Sequence, residues 1–288
     1  MYLFSYFVNN GEDGLRLAWS RDGYCWDILR GGASFLAPRV GESQLMRDPF
    51  LMRGPDGVFH LVWTTSWRGR TIGHAWSSDL LTWSGQHAIP VMDQEPRVLN
   101  CWAPEVIYDP PRKEFLIIWS STVAGRFHET DGRGDEGLDH RIYGARTRDW
   151  RTFSPARLFY DGGFDVIDAT IVRDGALFRL VVKDETSRPL RKHLRYAVSR
   201  CLEGPYTDVA GPLTRNWVEG PSVLCLRDHW MIYFDEYTRG TYGAIRTCDF
   251  VDFEDASEEL TMPPGMRHGS VLEVPMEVIE KLLSCAVR

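Results

Sequence analysis

Residues 219–253, EGPSVLCLRDHWMIYFDEYTRGTYGAIRTCDFVDF, contain the stretch that decides the fold. It reads as four short strands, at 221–226, at 230–234, at 242–246 and in a last segment that ends at Phe253. Strands joined by hairpins at this spacing predict one four-stranded antiparallel meander. Such a sheet cannot bury both of its faces alone, so the pattern predicts further copies packed against it.

The same unit recurs along the chain with a period of about 50 residues, which is typical of β-propeller blades. Further copies begin at Asp48, Glu105 and Asp168. The N-terminal residues match only the second to fourth strands of the unit, and residues 270–274 resemble a first strand with no blade following it. The sequence therefore predicts an all-β, five-bladed β-propeller, closed because strand 270–274 pairs with strand 2–8 in one blade.

Length and charge limit the alternatives. Residues 1–288 are expected to form a single propeller domain with a short amphipathic helix at about 275–285. The formal net charge of -7 disfavours an extended surface for nucleic acid or anionic membrane, so neither partner is predicted. The N-terminus carries neither a basic leader nor an apolar run of membrane length, which predicts a cytoplasmic protein unless a leader has been removed.

Each repeat has an ionisable residue near the start of its first strand. These residues are Asp48, Glu105, Asp168, Glu219 and His268. Because the first strands of propeller blades converge on the ring axis, superimposing the repeats predicts five equivalent groups in one small cavity. A lone carboxylate at such a place is usually a turn or cap residue. Five equivalent groups instead favour acid–base catalysis, since burial and repulsion would push their pKa values apart.

At these residues the sequence resembles glycoside hydrolase family 43, whose members are five-bladed propellers that cleave arabinofuranosides, xylosides and some galactosides with inversion. The resemblance spans nearly the whole chain. It is carried by Arg47-Asp48-Pro49, Trp102-Ala103-Pro104-Glu105, Ile167-Asp168-Ala169, Val218-Glu219-Gly220-Pro221 and Arg267-His268-Gly269. The resemblance implies that Asp48 is the general base, Asp168 the carboxylate that tunes the acid, and Glu219 the general acid.

The ring order supports these roles independently. The blade of His268 is expected between those of Asp48 and Glu219, whereas Asp168 and Glu219 are expected on adjacent blades. Inverting glycosidases hold their two carboxyl groups about 6.5 to 9.5 Å apart to admit a water. An ionised Asp168 beside Glu219 would raise the pKa of Glu219 and keep it protonated.

Three further residues are predicted to contact substrate from the blades. Trp102 is expected to stack on a sugar face or to pack as a rim aromatic. Arg267 is expected to bind a sugar hydroxyl or to pair with the acidic cluster. Glu105 is expected at the site, although many relatives have Asp at the position after Trp-Ala-Pro.

The polar insertion at residues 125–140 departs from the repeat, and loops on one face of a ring usually build a pocket rim. From it, Arg126 is predicted to contact substrate, and His140 and Arg141 are expected to reach the pocket. Residues 183–185, Lys-Asp-Glu, follow a strand and are interpreted as structural, at the far end from Asp168.

His268 is expected on the propeller axis beneath the sugar site. Some relatives hold calcium or another ion through water near the equivalent histidine. A neutral imidazole is a poor direct calcium ligand, so the expectation is water-mediated binding or no metal at all, with no cofactor required.

The predicted partner is an oligosaccharide or a polysaccharide side chain. The segments LMRDPF, VKDET and RHGS are most similar to arabinosidase-like members, which implies hydrolysis of α-L-arabinofuranosides of plant glycans. A β-xylosidase or an exo-galactosidase of the same family stays open, as does a non-catalytic sugar-binding propeller. Lectin propellers usually repeat one site between blades, whereas here the polar residues concentrate on the axis, which favours an enzyme.

Overall fold

The computed structural model describes residues 1–284, and within them five four-stranded antiparallel sheets form the blades of a propeller. Blade 1 begins with β1 Tyr2–Phe7, β2 Arg16–Ser20 and β3 Trp26–Ile28. Blade 2 consists of β4 Arg47–Arg53, β5 Phe59–Thr64, β6 Ile72–Ser77 and β7 His87–Ile89. Blade 3 consists of β8 Trp102–Asp109, β9 Glu114–Thr122, β10 His140–Thr147 and β11 Arg157–Tyr160.

The second half of the chain continues the same order from inner to outer strand. Blade 4 consists of β12 Val166–Asp174, β13 Leu177–Asp184, β14 His193–Ser199 and β15 Thr207–Ala210. Blade 5 consists of β16 Glu219–Cys225, β17 Trp230–Glu236, β18 Thr241–Thr247 and β19 Glu254–Asp255. The last strand, β20 Arg267–Glu273, returns to blade 1 as its innermost strand.

Both ends of the chain close blade 1. β1 pairs antiparallel with β20, with Tyr2 opposite Glu273 and Phe7 opposite Arg267. This confirms the predicted pairing of the terminal strands. Because β20 also packs between the inner strands of blades 2 and 5, the ring closes without leaving an inner strand unpaired.

In four blades the third strand ends in the same turn, which hydrogen bonds between residues close in sequence stabilise. A Ser or Thr is followed two residues later by an Asp whose carboxylate accepts the backbone N–H groups of the next residues. In blade 2, Oδ1 of Asp79 accepts from Leu81 at 2.9 Å and from Thr82 at 2.8 Å. Asp22, Asp149 and Asp249 make the equivalent bonds. Such side-chain-capped turns explain why the repeat is readable in the sequence.

The hydrophobic core lies between neighbouring blades rather than in one centre. Between blades 1 and 5, for example, Phe4 makes edge contacts with Trp26, Tyr233 and Tyr242 at centroid distances of 5.1 to 5.7 Å. Each sheet therefore buries its faces against its two neighbours, as aromatic packing between blades requires.

The helical segments are short. They are the α-helix α1 Met276–Ser284 and the single 3₁₀ turns Arg30–Gly32, His128–Thr130 and Ser257–Glu259. α1 packs on the ring through Ile279 and Leu282, close to the predicted segment, whose residue 285 lies outside the described residues. Within the described range no helix combines the length and apolarity needed to cross a membrane.

Candidate active site

Every innermost strand contains a β-bulge at the same level of the ring. The pairing register shifts between Arg47 and Phe50, Trp102 and Glu105, Ile167 and Thr170, Glu219 and Ser222, and, on the partner of β20, Ser5 and Phe7. Two residues of the inner strand thus stand opposite one residue of its neighbour. Bulges of this kind re-aim side chains and are frequent next to active sites.

The bulges correct the predicted equivalence of five ionisable residues. The first bulge position is occupied by Asp48, Ala103, Asp168, Gly220 and His268. Glu219 comes immediately before its bulge, and Glu105 immediately after the bulge of blade 3. The expected five-fold equivalence is therefore wrong. All five strands carry the same bulge, but the ionisable residue stands at a different position relative to it in blades 3 and 5, and strand pairing rather than the sequence motif fixes that position.

Backbone conformation at the bulge explains the glycine of blade 5. Asp48, Asp168 and Gly220 have φ values of 50°, 53° and 60°, in the left-handed region. A Cβ on Gly220 would lie 2.3 Å from ring carbons of His268. Blade 5 can therefore place only a glycine there, and the imidazole of His268 occupies the space.

A cavity of about 540 Å³ is lined by the three predicted catalytic carboxylates, Asp48, Asp168 and Glu219. Arg267, His268 and Trp102 line the same cavity, together with residues of the insertion. The structure thus brings together most of the side chains predicted to form the site. The volume is within the range of small-molecule sites.

His268 holds two of the carboxylates. Its Nδ1 lies 3.3 Å from Oδ1 of Asp48 and 3.8 Å from Oδ2 of Asp168. Burial acts to lower the pKa of His268, but the charges of Asp168 and Asp48 outweigh it and raise the pKa to about 9. The residue is therefore an imidazolium at neutral pH, wedged between two blades.

Asp48 is held in its ionised form. Its Oδ2 accepts a hydrogen bond of 2.7 Å from the Thr64 hydroxyl. Burial acts to raise the pKa of Asp48, but the hydrogen bond and charge of His268, with smaller effects of Arg47 and Thr64, lower it to about 2. Asp48 is accordingly ionised throughout the physiological range, as a general base must be.

Glu219 lies between two cations. Nη2 of Arg267 is 2.8 Å from its Oε1, and Nζ of Lys183 is 3.3 Å from its Oε2. Burial acts to raise the pKa of Glu219, but Lys183 and Arg267 outweigh it, so the pKa is lowered. Burial, only partly offset by His268, raises the pKa of Asp168 to about 6.

These two pKa shifts differ from the expectation that Asp168 would keep Glu219 protonated. Of these two carboxyl groups, the one with the raised pKa is Asp168, not Glu219. The physical reason is the pair of cations on Glu219. Pairing of Arg267 with the acidic cluster was one of two expectations for that residue, whereas Lys183 was not expected at the site.

Lys183 also corrects the interpretation of residues 183–185 as remote from Asp168. β12 and β13 run antiparallel, with Ile167 opposite Lys183, so the end of β13 lies beside the start of β12. Lys183 and Glu185 both line the cavity. The antiparallel hairpin itself was the signal that could have placed them at the site.

The remaining predicted residues separate into two groups. Trp102 lies at the cavity, 4.8 Å from the ring of His140, which also lines it. Arg126 is not brought to the cavity, because Glu95 and the Tyr143 hydroxyl bind its guanidinium at 2.7 and 3.2 Å. Arg141 is fully buried and pairs with Asp139 and Asp161.

Glu105 lies below the main cavity, where it borders a small void with Asp48, Asp168 and His268. Burial raises its pKa to about 8, so the buried carboxyl is neutral at pH 7. Its predicted contact with substrate is not supported by this position. It follows the bulge, and the strand pleat turns its side chain away from the cavity.

Two exposed tryptophans at the cavity were not predicted. Trp67 and Trp217 are 48% and 40% exposed, large fractions for such apolar side chains, and both line the cavity. Trp67 stacks on the guanidinium of Arg47 at 4.1 Å and meets Trp102 edge-on at 5.5 Å. Aromatic rims of this kind suit sugar faces.

The described residues do not fit a directly ligated metal, since no group of three or more His, Cys, Asp or Glu side chains among them is arranged to hold an ion. Nδ1 of His268 instead faces carboxylates. An ion held through water near His268 stays a proposal from the resemblance.

Residues 1–280 match the family model of the glycosyl hydrolase 43-related group, described as "Probable glycosyl hydrolase domain". The chain belongs to this family. No curated protein matches it in sequence.

Solved structures of glycosidases have a similar fold. The α-L-arabinofuranosidase of Lactobacillus brevis is 14% identical, with a TM-score of 0.54 over 76% of this chain and 73% of that one. The family 62 α-L-arabinofuranosidase of Coprinopsis cinerea is 13% identical, with a TM-score of 0.56 over 81% of this chain and 75% of that one. The exo-β-1,3-galactanase of Phanerochaete chrysosporium is 14% identical, with a TM-score of 0.52 over 73% of this chain and 49% of that one. At these identities the similarity shows the fold.

Proposed function

We propose that this family 43-related glycoside hydrolase is an inverting glycosidase acting on α-L-arabinofuranosides of plant oligosaccharides or polysaccharides. The observation that carries the mechanism is the placement of Asp48 and Glu219. Both line one cavity, yet the inner strand of blade 1 separates their blades. This diagonal arrangement suits a pair of carboxyl groups that must admit a water between base and sugar.

In the proposed reaction Asp48 removes a proton from a water that attacks the anomeric carbon. Its low pKa keeps it ionised, and Thr64 and His268 fix its two oxygens in place. Glu219 donates a proton to the departing glycosidic oxygen, so the bond to the leaving group breaks as the new carbon–oxygen bond forms. Asp168, whose Oδ2 accepts the Gly220 amide at 3.0 Å, holds the backbone beside the acid.

Glu219 must gain its proton before each turnover, although its pKa is lowered. A sugar that fills the cavity removes water from the carboxyl group, and desolvation favours its neutral form. The proposal therefore requires the pKa of Glu219 to rise when substrate binds.

The choice of arabinofuranoside is supported by the sequence segments LMRDPF, VKDET and RHGS and by the arabinofuranosidases among the similar structures. The exo-β-1,3-galactanase of similar fold supports a galactosidase as the second candidate. A β-xylosidase of the same family is the third.

A panel of aryl glycosides tests the substrate. We expect turnover of the aryl α-L-arabinofuranoside to exceed that of the β-xyloside and β-galactoside at equal concentration. Faster turnover of the xyloside or the galactoside would change the proposed substrate and leave the proposed mechanism unaffected. Binding of arabino-oligosaccharides without turnover of any substrate would instead indicate a non-catalytic sugar-binding propeller.

The acid is tested by leaving-group dependence. Glu219→Ala is expected to lose most activity on natural linkages and much less on a dinitrophenyl glycoside, whose departure needs little protonation. Equal losses on both substrates would remove Glu219 from the role of acid.

A further inference from the structure

Lys183 is a buried cation placed between two carboxylates of the cavity. Its side chain is only 2% exposed, and its Nζ lies 2.6 Å from Oε2 of Glu185 and 3.3 Å from Oε2 of Glu219. The ammonium group also lies 4.7 Å from the ring centre of Tyr237. Lys183 is thus nearer to Glu185 than to the proposed acid, and its charge is divided between them.

Glu185 connects this pair to the insertion. Its Oε1 pairs with Lys192, and Lys192 binds Oδ2 of Asp135 at 2.9 Å. The segment after β13 is held to the same insertion by backbone, since Ser187 N–H donates to the Arg133 carbonyl at 2.8 Å. A row of alternating charges therefore runs from the insertion to the acid, in the order Asp135, Lys192, Glu185, Lys183 and Glu219.

Fold stability alone does not account for this row. Withdrawing charges from water is costly, and replacing buried ion pairs by apolar residues of similar size is often neutral or stabilising. Lys183 and Lys192 are both almost fully buried. Because the row ends on the proposed proton donor, we expect these charges to have a role in the function of that donor.

We propose that Lys183 and Glu185 are a positioning pair for Glu219, in which Lys183 fixes Oε2 of the acid while Glu185 draws the lysine charge away so that the acid can hold a proton. This rests on the proposed role of Glu219 as acid. Arg267 fixes the other oxygen and pairs in turn with Asp235, at 2.7 Å. Each cation beside Glu219 thus has a second carboxylate that limits its pull.

The other charged and titratable groups that interact electrostatically with Glu219 come from blades 1, 2, 4 and 5. They are Asp48, Asp168, Asp235, Tyr237, Tyr242, Arg267 and His268. Substitution of Lys183 or Glu185 leaves all of these groups in place. Any change in the proton affinity of Glu219 can therefore be assigned to the substituted pair.

The sign of the expected shifts is opposite for the two partners. Lys183→Met removes a cation beside Glu219, so its protonated form persists to higher pH, and the alkaline limb of kcat/KM moves up by about 1 pH unit. Glu185→Gln leaves the lysine charge less balanced, so the alkaline limb moves down. A purely structural pair would lower activity or stability without shifting the limb in opposite directions.

Two matched variants complete the series. Lys183→Arg keeps the charge and should return the alkaline limb toward the wild-type position. Lys192→Met removes a charge one step further along the row and should move the limb less than Lys183→Met. A shift in Lys192→Met as large as in Lys183→Met would overturn the proposal.

A readout independent of turnover separates this inference from the proposed function. In protein labelled with ¹³C at glutamate carboxyls, the Glu219 signal is the one missing from Glu219→Gln, and its titration is followed in wild type and in Lys183→Met. An unchanged Glu219 titration would overturn the positioning pair, whatever the activity. A raised titration supports the pair; if the alkaline limb of kcat/KM then fails to follow, the role of Glu219 as acid is what fails.

Discussion

Asp48 and Asp168 occupy the same position in two blades and differ in chemistry. Both are the first residue of a bulge, both have left-handed backbone, and both face Nδ1 of His268. Yet the pKa of Asp48 is lowered to about 2, whereas that of Asp168 is raised to about 6. Identical residue type and backbone geometry therefore do not set the protonation state.

The neighbours explain the difference. Asp48 is closer to His268 and receives the Thr64 hydroxyl, both of which favour its charged form. Asp168 is farther from His268 and feels the negative charge of Glu219 on the adjacent blade, which disfavours its charged form. The ring thus turns one repeated motif into a base and a carboxyl group of higher pKa.

The largest effect is expected from making the same substitution at both positions. Asp48→Asn should lower kcat by about 10²–10⁴-fold, the usual contribution of a general base, on every substrate. Asp168→Asn, the matched control, should lose clearly less, because Asp168 exchanges no proton in the cycle. Steady-state kinetics on one aryl glycoside compares them, and equal losses would contradict the division of roles.

The bulge of blade 5 extends the comparison to stability. Gly220→Ala should destabilise the fold by more than about 1 kcal/mol, because a Cβ strains the left-handed backbone and also meets His268 at 2.3 Å. The control is Ala103→Gly, at the same bulge position with a φ of 45°, which relieves strain rather than adding it. Chemical denaturation measures both, and a neutral Gly220→Ala would argue against the close packing of His268.

The pH dependence of stability isolates His268. Its pKa rises from 6.5 to about 9 on folding, so the folded state binds more protons between these values. The stabilisation is fully present below pH 6.5 and is lost as the pH rises through 9. Thermal unfolding should show a decline between pH 6.5 and 9 that is reduced in His268→Gln. An undiminished decline in that variant would assign the effect to other groups.

The smallest effect concerns Thr64. Its hydroxyl donates a hydrogen bond to Asp48 and not to Asp168. Thr64→Val removes that donor, so the pKa of Asp48 should rise, and kcat/KM should begin to fall on acidification about 1 pH unit higher. Thr64→Ser retains the hydroxyl and should behave as wild type. A pH profile unchanged in Thr64→Val would show that the Thr64 hydroxyl does not contribute to the low pKa of Asp48.

The fold was predictable because its signals are local and repeated. Hairpins mark the blades, and Asp-capped turns mark four of them. The unpaired first strand near the C-terminus predicted pairing with residues 2–8, and the register of β1 and β20 confirms this pairing over residues 2–7. The placement of Asp48, Asp168 and Glu219 at one cavity was predicted because each lies near the start of an innermost strand and these strands converge on the ring axis.

The rest of the site depends on contacts that a repeat does not encode. Glu105 and Glu219 are out of register with Asp48, because pairing with the neighbouring strand, and not the sequence motif, fixes where each bulge begins. The lowered pKa of Glu219 depends on Lys183, which approaches it from the adjacent blade. The position of Arg126 depends on Glu95, a carboxylate in a loop that binds it. Such side-chain pairings are tertiary and carry no periodic signal.

The stereochemistry of hydrolysis tests the central claim, that Asp48 and Glu219 act across the ring with a water between them. ¹H NMR of the first-formed sugar, recorded before the anomers equilibrate, should show the anomeric configuration inverted relative to the aryl glycoside. Retained configuration would contradict the account, because it would require a carboxylate within bonding distance of the anomeric carbon and a different pair of residues.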